Sequence, residues 1–64
     1  MRQTAQIDTD TRTKEARYKM QQARIEITKL HAEAKPDTEE AKYLKLAFDF
    51  VTDAIEYLNT ALQH

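Results

Sequence analysis

Lys14, Arg17, Gln21, Arg24, Thr28 and His31 recur at spacings of three and four with no acid among them. On a helix this spacing stacks them along one flank. A flank of cations and hydrogen-bond donors is what a phosphate-tracking helix needs, as in an RNA-binding helical hairpin. The same flank can instead pair with the acids Asp49, Asp53 and Glu56 farther along the chain, which are numerous enough to absorb its charge. Charge pairing is therefore the expected use of Lys14, Arg17, Gln21 and Arg24, and nucleic acid the lesser alternative. His31 sits at the edge of the flank, where an imidazole either senses pH from a half-buried position or keeps one nitrogen in water; the boundary position is the expected one.

Other chemistry finds no footing. The chain has no Cys, which excludes disulfides and thiolate metal sites. Neither His-x-x-x-His nor Glu-x-x-His occurs, and Glu33 falls on a different helical face from His31. An activated nucleophile or a tuned pair of acids cannot be placed either. No catalytic, cofactor or metal residue is expected, no small-molecule substrate, and no enzyme.

The elements that carry these residues follow from the composition. Gly is absent and Pro occurs once in 64 residues, which removes the residues that hairpin turns of strands and phosphate loops require. An all-α chain is expected. The lone Pro36 lies in "EAKPDTEEAK", a helix end followed at once by a helix start: Lys35 is disfavoured in the α region before Pro, Asp37 or Thr38 can cap, and Glu39 and Glu40 favour the first turn. Upstream, Asp8, Thr9, Asp10 and Thr11 compete as N-caps. The spacing predicts two helices of matched length, about 10–34 and 38–62, forming an antiparallel hairpin over residues 9–64 behind a flexible tail at 1–8.

Apolar spacing then separates the two helices. In the first, Ala16, Met20, Ala23, Ile27, Leu30 and Ala34 make one narrow seam of the coiled-coil kind, with Tyr18, Ile25 and Ala32 a weaker trio on the opposite side. In the second, Ala41, Leu44, Phe48, Val51, Ile55, Leu58 and Leu62 form one stripe, and Tyr43, Ala47, Phe50, Ala54, Tyr57 and Ala61 form another. Together these two stripes cover an arc of roughly 200°, about twice what one partner helix can shelter.

A chain this short buries too small a fraction of its surface to be comfortably stable alone. The second stripe is accordingly expected to be an interface between copies, giving a four-helix bundle as a dimer in the first instance, or a trimer or larger coiled-coil-like oligomer. Residues 1–35 carry eight Lys/Arg against five Asp/Glu, and residues 36–64 carry two against six, so the two halves attract. The net charge of -1 announces neither nucleic acid nor disorder. The N-terminal residues lack the apolar core of a signal peptide and no run suits a membrane span, so a soluble protein is expected, cytoplasmic if natural.

On "AKPDTEEAKYLKLA", with its short connection, capping acid and Glu-Glu first turn, the chain resembles computationally designed helical hairpins that assemble into bundles. That resemblance implies a structural scaffold without a biological substrate. In size and plan the chain is also similar to plasmid copy-number regulators of the repressor of primer kind, helical hairpins that dimerise and bind paired RNA loops. This second likeness is of architecture, carries over no RNA-contacting residue, and implies the alternative of a small regulator that binds a protein partner or structured RNA through a helical face.

Overall fold

A computed structural model describes the backbone of residues 2–64 and the side chains of residues 7–64. Two helices, α1 (Arg2–Glu33) and α2 (Glu39–Leu62), pack against each other as an all-α hairpin. No helix among the described residues is long and apolar enough to cross a membrane.

The connection works as its residues dictate. Pro36 has no N–H to continue α1, and Asp37 adopts the left-handed region at φ 64, which the short polar Asp side chain tolerates better than most. Thr38 then caps α2: its backbone is extended, and its hydroxyl accepts from the Ala41 N–H at 3.1 Å while donating to the Lys35 carbonyl at 2.8 Å. Of the two expected caps, Thr38 serves and Asp37 makes the bend. Glu39 and Glu40 occupy the first turn of α2, against its positive dipole end.

The two helices are not matched in length. α1 has 32 residues and begins at Arg2, where a start near residue 10 is expected, while α2 has 24. The residues that compete as caps in the sequence are absorbed inside the helix instead: the Thr13 hydroxyl donates to the Thr9 carbonyl at 2.8 Å, and Asp8 lies 3.9 Å from Arg12 one turn on. The flexible tail expected over residues 1–8 lies for the most part outside the described side chains; the helical backbone there runs from Arg2 directly into the paired part of α1. Because Arg17 is level with Asn59 near the end of α2, α1 projects past its partner by about ten residues, or roughly 15 Å. Ile7 stands on this overhang, 66% exposed.

Packing follows the narrow seam. Ala16, Met20, Ala23, Ile27 and Ala34 of α1 are half-buried, as are Ala41, Leu44, Phe48, Val51, Leu58 and Leu62 of α2, and Ile55 between them is buried at 5%. Leu30, the remaining seam residue, is only half covered. Thr52 enters the edge of the same contact, and its Oγ1 is buried without a hydrogen-bond partner. A buried unsatisfied hydroxyl is a cost that an isosteric apolar side chain removes.

Two stability measurements check this account, both by urea unfolding at fixed chain concentration. Thr52→Val should stabilise the fold by about 1 kcal/mol, through loss of the orphaned hydroxyl. Thr38→Ala should destabilise it by about 1 kcal/mol, through loss of the cap.

Candidate assembly interface

Heptad spacing within α2 places Tyr43, Phe50 and Tyr57 in line along one face, and the turn directs α1 onto a different one. The three aromatics are consequently 61%, 71% and 76% exposed on the hairpin. Between them Ala47 and Ala54 are half-buried, and Ala61 at the C-terminal end is exposed. The six residues expected to form an interface thus lie on one continuous face that α1 leaves largely open. Leu46 widens it: it belongs to neither stripe, yet it is 41% exposed at the outer edge. Its spacing, three residues after Tyr43 and four before Phe50, is the sequence signal that would have assigned it there.

An open aromatic face of this kind is energetically conspicuous. Aromatic side chains bury on the order of 150–250 Å² each when covered. At the exposures observed, the three rings leave roughly 400 Å² of one helix face in water, a gross transfer free energy of roughly 10 kcal/mol at about 25 cal/mol per Å². The polar groups beside the stripe do little to shelter it. Lys42 Nζ stands 5.8 Å from the centroid of the Tyr43 ring, a contact of the weak, exposed cation–π kind.

The basic flank has a different fate. Arg17, Gln21 and Arg24 are half-buried and Lys14 is exposed. The Arg17 guanidinium crosses to α2, where Nη1 donates to Asn59 Oδ1 at 2.7 Å in a partly buried setting. Thr28 turns back on its own helix, donating to the Arg24 carbonyl at 2.9 Å. The expected pairing partners are engaged elsewhere or stand apart: Asp49 is held by Lys45 of its own helix at 2.8 Å. Ion pairs between described residues, Asp8 with Arg12, Glu26 with Lys29 and Asp49 with Lys45, all stay within one helix. The tie between the flank and α2 is therefore a charge-assisted hydrogen bond to an amide, which periodicity and charge counting do not single out.

His31 is exposed and lines a shallow groove of about 280 Å³ with Thr28, Lys45 and Phe48. It occupies the boundary position expected for it. Among the described residues no group of His, Asp and Glu converges to hold a metal ion. The outer trio of α1 is solvated as well, with Tyr18 at 62% and Ile25 at 47% exposure, and Gln22 and Lys29 intervene on the same side. Set beside protein-family models, curated proteins and solved structures, the chain matches none of them.

Proposed function

We propose that this chain is a structural self-assembling hairpin whose role is to form a homo-oligomeric helical bundle through the open face of α2, as a scaffold of the designed kind and without catalytic activity. The observation that carries the reading is the disproportion within the hairpin: among the described residues one apolar side chain, Ile55, is buried, while Tyr43, Phe50 and Tyr57 stand mostly in solvent. A single hydrophobic core in a chain of 64 residues supplies a few kcal/mol at most. The unsheltered aromatic face is substantial beside that in gross transfer terms, and a contact between two copies recovers it from both, against the entropic cost of association. Another copy of the same chain is the partner, because it brings a face of the same length, period and apolar character. Every copy number expected from the sequence uses this stripe.

Binding of structured RNA draws less support. Of the basic flank, Arg17 is committed to Asn59 inside the hairpin, and the remaining cations are interspersed with Gln21 and Thr28.

Sedimentation equilibrium at micromolar concentration tests the proposal. The expected mass is a multiple of the 7.5 kDa chain. Phe50→Glu, which sets a charge in the middle of the stripe on a site already exposed in the hairpin, should weaken association by about 100-fold or more with helical circular dichroism retained at high concentration. A rigid, cooperatively folded 7.5 kDa species at these concentrations would overturn the reading.

A further inference from the structure

Along the open face of α2, large and small side chains alternate in strict order: Tyr43, Ala47, Phe50, Ala54, Tyr57, Ala61. Each aromatic is followed four residues later by an alanine, and the aromatics are the groups left most exposed. Faces built this way pack closely only when the large groups of one helix lie over the small groups of the other.

Which helix can supply those small groups is decided by the residues themselves. The outer side of α1 cannot. Its positions equivalent to the alanines, four residues after Tyr18 and Ile25, are Gln22 and Lys29, both long and exposed. The matching surface is the same face of α2 in another copy. Two α2 helices side by side in parallel and in register would set ring against ring and alanine against alanine, leaving the helices held apart at one level and voids at the next. Turned antiparallel, they interlock. Tyr43 then falls on the partner's Ala61, Phe50 on the partner's Ala54, and Tyr57 on the partner's Ala47. All three pairings belong to one register, centred at the level of Thr52, and each holds with the two copies exchanged, as a two-fold contact requires.

From this complementarity we infer that two copies join through an antiparallel α2-to-α2 contact, related by a two-fold axis at the level of Thr52, with the aromatics of each copy seated on the alanines of the other. The inference rests on the self-association reading and adds partner orientation and register to it. The surface suffices: the three rings, Leu46 and the alanines of both copies together bury on the order of 1,000 Å² or more, which reaches the size of a specific interface. In this arrangement α1 keeps the neighbouring stripe of α2, about a third of a turn round from the α2-to-α2 contact, and the two hairpins close into a four-helix bundle with their turns at opposite ends.

The chain has no cysteine, so single labelling sites can be introduced cleanly at two exposed positions of α2 and the separation between copies read by pulsed dipolar spectroscopy of nitroxide labels. At Asp53→Cys, close to the axis, the two labels should lie within about 20 Å of each other, whereas at Glu39→Cys they should be separated by roughly 40 Å along the bundle. Equal separations at the two sites would mean parallel copies, and a mass of three chains would mean cyclic packing. Either result overturns the antiparallel register while leaving self-association in place. Loss of all dipolar coupling in a monomeric sample would remove the underlying reading as well. The register has its own check. Ala54→Phe alone should weaken association by about tenfold or more through overpacking against the partner's Phe50. The exchanged pair F50A/A54F restores large over small at the same level and should return to within about fivefold of the original affinity. Undiminished association of Ala54→Phe would contradict the proposed seating of Phe50 on the partner's Ala54.

Discussion

A single helix shelters only a strip of its neighbour, and every feature of this chain answers to that limit. α1 covers the stripe from Leu44 through Ile55 to Leu62 and can reach no farther round α2. The apolar arc of α2 is about twice as wide as that strip. The hairpin is consequently well determined as an arrangement of two helices and poorly furnished as a core, with Ile55 the one buried apolar side chain among the described residues. α1 supplies no wider coverage, and Tyr43, Phe50 and Tyr57 stay exposed on the hairpin.

Polar groups fix how the two helices meet. Thr38 sets where α2 begins, Asp37 sets the direction in which the chain returns, and the Arg17–Asn59 hydrogen bond near the far end holds the helices in register. These constraints sit at the two ends of the paired region, with the apolar seam between. Such a division leaves the aromatic face free of structural duties within the hairpin. Its residues are therefore able to serve an encounter between molecules without disturbing the fold.

Much of this was legible in the residues because the signals are local or periodic. Pro36 with Thr38, Glu39 and Glu40 marks the turn through backbone sterics and capping, which depend on a few neighbouring residues. The seam and both stripes of α2 follow from spacing alone, and the side chains on the seam are half-buried or buried, Leu30 excepted. The start of α1 was not legible. Asp8 and Thr9 suit a cap and a helix interior about equally once Arg12 pairs with the Asp8 carboxylate and the Thr13 hydroxyl donates to the Thr9 carbonyl one turn on. Leu46 escaped because it lies between the two stripes, and the Arg17–Asn59 bond because neither charge balance nor periodicity selects an amide as the partner of a guanidinium. The proposed orientation of neighbouring copies rests on the alternation of ring and alanine, a pattern that acquires meaning only once the face is known to be open.

The connection at residues 34–38 also sets the order of events in time. Helices joined by so few residues can zip together outward from the bend, each new contact closing only a small additional loop, and such low-contact-order pairing is intrinsically fast, on the scale of microseconds to milliseconds. The meeting of two molecules is bimolecular and slows in proportion to dilution. In the proposed assembly the hairpin therefore closes well before two dilute copies meet, so collision, rather than the search of a single chain for its shape, would set the tempo of bundle formation.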